Sequence, residues 1–156
     1  MRTYVPHFSR LALVFVSAVA VVAQTQHITA FTGTWKMNVA KSKFNPGPPP
    51  QSVTVTWAPD GTYTGAGVDA QGQANHWSHP WSGEEEVPMA VNGTETFTLL
   101  SDYQGHTLDE TVKHEGKTVR TLHRVLSADG RTMTVTMEGT DAQGRPVHHV
   151  EVFEKR

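Results

Sequence analysis

From Gln51 onward, apolar and polar residues alternate with a period of two. Val53, Val55 and Trp57 share one face of a segment whose other face is Ser52, Thr54 and Thr56, and Met133, Val135 and Met137 stand opposite Thr132, Thr134 and Thr136. This is the period of a strand with one buried face, and the threonine faces suit solvent-exposed sheet. No stretch of this region holds apolar residues at i, i+3, i+4 and i+7 long enough for a stable amphipathic helix. The pattern predicts nine strands, at Gly33–Asn38, Ser52–Trp57, Thr62–Val68, Ala74–Trp81, Glu95–Ser101, Thr107–Glu115, Lys117–Leu126, Thr132–Glu138 and Val147–Glu154. Between them lie Asp60-Gly61, Gln71-Gly72, Glu115-Gly116, Asp129-Gly130 and Gln143-Gly144, and X-Gly pairs of this kind suit hairpins because glycine takes positive φ freely. The fold class is therefore all-β and antiparallel, a barrel or sandwich rather than an open sheet, since closure removes unpaired edges.

Strand parity also proposes an interior. Val53, Val55, Trp57, Met133, Val135 and Met137 should face inward, while Trp77, His79 and Trp81 form one stripe and Val119, Thr121, His123 and Val125 another. Large aromatics with a few polar groups resemble the lining of small-molecule pockets, although tryptophans in a small domain also serve simply as core. Four prolines in Phe44–Pro50 remove ladder donors and predict a loop crossing one end of the barrel. Ala58–Gln73 and Ala128–Arg145 echo one another around Asp-Gly and Asp-Ala-Gln-Gly, which points to recurrent turn chemistry more than to duplication.

The N-terminal region departs from this pattern. Arg2 and Arg10 precede an uncharged run, Leu11–Ala23, which ends in small residues and falls short of the roughly 20 needed to span a bilayer. It reads as a signal peptide over 1–23, cut before Gln24 or else after Ala20, rather than as an uncleaved anchor. Residues 24–156 are then one domain of an exported protein, periplasmic or secreted, with no lasting membrane insertion. The whole chain, 156 residues with 13 basic and 15 acidic side chains, has a formal charge of -2. Loss of Arg2 and Arg10 leaves 11 basic against 15 acidic residues, so nucleic acid is excluded as a partner. The absence of cysteine excludes disulfides, thiolate nucleophiles, iron–sulfur clusters and Cys-ligated zinc.

Candidate chemistry is sparse. There is no G-x-S-x-G elbow and no H-E-x-x-H helix. Adjacent His148 and His149 point to opposite faces of a strand, as do His76 and His79, so a metal site would need His79, His123 and one of His148 or His149 to converge from separate strands. No metal, cofactor or catalytic set is assigned. Glu84-Glu85-Glu86 reads as a solvated loop, and Asn92-Gly93-Thr94 as a possible glycosylation acceptor.

Phe31-Thr32-Gly33-Thr34-Trp35-Lys36-Met37-Asn38 resembles the G-x-W opening of lipocalins and fatty-acid-binding proteins. The longer string Gly33–Phe44, with the proline loop and Ser127–Val135, is similar to a group of exported bacterial lipocalin-like proteins. The closing Val152-Phe153-Glu154-Lys155 fits the last strand of such a barrel. The resemblance implies an up-and-down barrel of about eight to ten strands, closed near Trp35, whose indole packs on a basic side chain from a late strand, Arg120 or Arg124. No second lipocalin motif and no helical lid of the fatty-acid-binding type is present. The resulting expectation is a monomeric carrier of a small, partly apolar ligand, lined by Trp57, Trp77, His79, Trp81, His123, Met133, Val135 and Met137. Its rivals are a solid barrel acting through surface contacts with protein or glycan, and an enzyme using His79, His123 or His148.

Overall fold

The computed structural model describes residues 28–156 apart from 84 and 142, so the predicted signal peptide lies outside the described residues. Eleven strands follow one another: β1 (Gly33–Met37), β2 (Lys43–Asn45), β3 (Ser52–Trp57), β4 (Tyr63–Val68), β5 (Ala74–His79), β6 (Val87–Val91), β7 (Thr94–Gln104), β8 (Thr107–His114), β9 (Lys117–Leu126), β10 (Thr132–Thr140) and β11 (Pro146–Lys155). From β3 to β11 each strand pairs antiparallel with the next, and β1 pairs with both β3 and β11. The result is a closed, ten-stranded antiparallel up-and-down barrel. Among the described residues the one helical element is a 3-10 turn, Val39–Lys41. That turn bulges from the wall: Asn38 N–H donates to Val152 O, Ser42 Oγ accepts from Val152 N–H, and β2 resumes along β11 with Lys43 opposite Val150.

Two strands were not expected from the sequence. β2 takes in Phe44 and Asn45, at the start of the expected proline loop, so the loop proper begins at Pro46. β6 contains Pro88, a residue with no N–H to give to a ladder. Yet β6 pairs with β5 only at Val91 and Ala90, so Pro88 sits where a missing N–H interrupts little. The strongest hairpin signal in the chain follows it: Asn92 and Gly93 take φ of 51° and 82°, the two positive values of a type I′ turn. The internal echo is explained by turn chemistry. Asp69 N–H donates to Gln73 O and Asp69 Oδ1 accepts from Gln71 N–H and Gln73 N–H, and Asp141 makes the same three bonds with Arg145 and Gln143.

One end of the barrel is packed solid. Ile28, Phe31, Trp35, Trp57, Leu108, Leu126, Met133 and Phe153 are all buried there. Trp35 donates its indole N–H to Phe31 O at 2.7 Å, which ties the incoming chain across the barrel floor. The cation on Trp35 is Lys155, 5.0 Å from the ring and directly opposite it in the β1–β11 register, rather than Arg120 or Arg124. Replacing Trp35 by Ala is expected to cost about 3–5 kcal/mol in urea unfolding. Lys155→Met, whose ammonium is exposed, should cost less than about 1 kcal/mol.

Candidate functional site

Above the packed end the barrel is open, with a cavity of about 230 Å³. The space originates in β4, where the inward positions after Tyr63 are Gly65 and Gly67. Trp77, opposite Gly65 on β5, lays its indole against that bare backbone, so a Cβ on residue 65 would come within 2.1 Å of the ring. Val53, Val55, Leu99, Val112, Leu122 and Met137 complete most of the apolar wall.

The cavity floor is polar. Arg124 of β9 donates from Nε to Glu110 Oε2 of β8 at 2.6 Å, with both side chains almost fully buried. The guanidinium also lies 5.2 Å from the Trp57 ring and 5.4 Å from the Tyr63 ring. Burial alone would weaken its charge, but Glu110 more than offsets this and Arg124 is held as a cation above its ordinary value. Burial pushes the Tyr63 phenol up, so it remains protonated, and its oxygen accepts from Trp77 Nε1 at 3.4 Å.

His79 stacks on Tyr63 with ring centroids 4.8 Å apart. Its Nδ1 lies 2.8 Å from Pro80 O, an atom that can only accept, so the proton is on Nδ1 and Nε2 carries the lone pair. Burial holds this imidazole below its ordinary value, against the opposing pull of Glu110. Nε2 faces Glu110 Oε1 across 3.8 Å, and neither atom has a hydrogen-bond partner among the described residues. Ser101 Oγ, on the residue opposite Glu110 in the β7–β8 register, is a third buried atom without one.

Three of the expected lining residues, Trp77, His79 and Met137, do surround the cavity. Trp57, Met133 and Val135 are inward but belong to the packed core. Trp81 helps seal the closed end, edge-on to Tyr103 at 6.2 Å. His123 is on the outer wall, 2.6 Å from Asp109, with half of its side chain exposed. The parity expected for β9 is thus reversed: Arg120, Leu122, Arg124 and Leu126 carry the inward face, and Val119, Thr121, His123 and Val125 the outward one. Counting apolar residues misjudged this strand because an arginine can face inward when a carboxylate meets it. The clue was present in the neighbouring stripes Leu108-Glu110-Val112 and Leu122-Arg124-Leu126, which carry opposite charges between apolar residues.

The composite histidine site does not assemble. His79 is inside, His148 is outside beside Glu138, and His149 is at the rim, its ring 5.0 Å from that of Phe44. Among the described residues no group of three His, Cys, Asp or Glu side chains is placed to hold a metal ion.

Arg124→Met, which strands the buried Glu110 carboxylate, is expected to destabilise the barrel by about 3–5 kcal/mol in urea unfolding. The double variant Glu110→Leu/Arg124→Met should recover most of that loss. The depressed His79 pKa has the opposite sign to a stabilising protonation: the unfolded chain takes up the extra proton. Stability from this group is therefore complete above the unfolded value near 6.5 and declines as pH falls below it. Between about pH 7.5 and about pH 5.5 the melting temperature should fall further in the wild type than in His79→Phe. Comparison with protein-family models and with curated proteins finds no match.

Proposed function

We propose that this chain is a binding protein for a small, partly apolar molecule held in the open half of the barrel. The observation that carries this reading is the unfilled cavity of about 230 Å³ whose floor holds buried polar atoms without partners. A solid barrel acting only through its surface would have no use for either. The cavity volume of about 230 Å³ points to a small cargo. This is below the usual range of roughly 300–1,000 Å³ for ligand pockets and favours a metabolite-sized cargo over a long acyl chain.

Export is part of the proposal. The uncharged run Leu11–Ala23 behind Arg2 and Arg10 supports it. Among the described residues no helix is long and apolar enough to cross a membrane. An alternative reading, general-base catalysis, is favoured by the free lone pair of His79 in the cavity. A carrier releases its cargo unchanged, whereas an enzyme converts it.

Native mass spectrometry of protein from its own host's envelope fraction, compared with the same sample denatured, tests the proposal. An organic mass increment lost on denaturation is expected, on a chain beginning at Gln24. Identical masses across several growth conditions would overturn the carrier reading. Trp77 is only half-buried and lines the cavity, so Trp77→Ala should weaken binding tenfold or more. Its cost in stability should stay below the roughly 3–5 kcal/mol of a fully buried aromatic.

A further inference from the structure

The cavity floor presents two hydrogen-bond acceptors to each other. Arg124 Nε–H occupies the other Glu110 oxygen, Oε2, and His79 is fixed as the Nδ1–H tautomer by Pro80 O, so Oε1 and Nε2 both offer lone pairs. At 3.8 Å they are too far apart to share a proton directly. Both side chains are about 1% exposed, so bulk water does not satisfy them. Leaving such acceptors bare is costly, and a bound group that donates to both removes the cost.

A single atom about 2.9 Å from each acceptor can bridge them if it carries two hydrogens. A hydroxyl carries one and leaves an acceptor bare. A carboxylate carries none and meets the Glu110 charge. Of the two cations lining the cavity, Arg124 is already engaged with Glu110 and covered by the Trp57 and Tyr63 rings, and Arg120 is countered by the Glu151 carboxylate, which lines the cavity beside it. Beside this point Trp77 and Met137 offer apolar surface for the rest of a ligand.

From this juxtaposition we propose that the barrel selects small molecules with a primary amine or primary amide head, the nitrogen donating to both His79 Nε2 and Glu110 Oε1 while an apolar body rests against Trp77. The inference deepens the carrier reading and depends on it. A water molecule with two hydrogens could fill the same position, and a ligand that displaces it must reproduce its bonds, which an NH2 group does.

The test measures binding of toluene, benzyl alcohol, benzylamine, benzamide and benzoate to the mature protein by calorimetry. Benzylamine or benzamide is expected to bind at least tenfold more tightly than toluene, benzyl alcohol or benzoate. His79→Phe, which keeps an aromatic ring on Tyr63, should abolish that preference. Tightest binding of benzoate, or equal binding of all five, would overturn the selectivity while leaving a carrier in place. Failure of every probe would count against the carrier reading itself. Imidazole ¹⁵N NMR of the wild type provides a check that does not rely on the variant folding. Nε2 should be the unprotonated nitrogen and should shift with benzylamine but not with toluene, whereas a proton on Nε2 in the free protein would overturn the proposal.

Discussion

The buried Arg124–Glu110 pair divides the interior. An unpaired charge inside a barrel is prohibitive, so β8 and β9 must bring these two side chains inward together, and that requirement fixes the parity of both strands. Once inside, the guanidinium needs more than one partner, and Trp57 and Tyr63 on the opposite wall supply aromatic faces. Below the pair the barrel is a packed hydrophobic core. Above it the interior opens, because the strong contacts have been made lower down.

The number of strands makes such a division necessary. Eight strands give an interior about wide enough for side chains to fill, and ten give more than that. The closed end meets the excess with bulk: two tryptophans, two phenylalanines and the chain entering at Ile28, held by the Trp35 bond to Phe31 O. The open end goes the other way. Gly65 and Gly67 remove two side chains from the wall, and Trp77 returns part of the volume by lying flat over one of them. The cavity is what remains of a wide barrel after its lower half has been plugged and one strand stripped. The largest apolar side chain in its wall sits where the wall is thinnest.

Much of the fold was legible because closed antiparallel architecture writes a period of two and places glycine at its turns. β3 and β10 were assigned to their correct faces, since Val53-Val55-Trp57 and Met133-Val135-Met137 leave no ambiguity. The strands that were missed are those in which another constraint outweighed the pattern: Pro88 in β6, and the short β2, held by β11 and not by its own sequence. The site was less legible for a related reason. Trp77, His79 and Met137 were reached because they are apolar or aromatic at the right parity. Glu110 and Arg124 were passed over because each alone resembles a surface residue, and only their occurrence on adjacent strands makes them interior. His123 was drawn in by the mirror of the same error. The role of Gly65 follows from the partner strand, which no single-strand pattern contains.

Two histidine–carboxylate pairs show why geometry decides which polar groups can bind a ligand. His123 and Asp109 meet at 2.6 Å, yet both are more than half exposed, so water and salt screen their attraction and satisfy what the pair leaves over. His79 and Glu110 do not meet, but both are sealed from solvent. In the first pair the hydrogen bond is complete and the free energy of any further contact is small. In the second the bond is missing and no protein group satisfies the acceptors, so a donor entering the cavity must meet both of them to bind well. The well-formed pair is therefore surface chemistry, and the unformed one is where, on the proposed carrier reading, one small molecule would be distinguished from another.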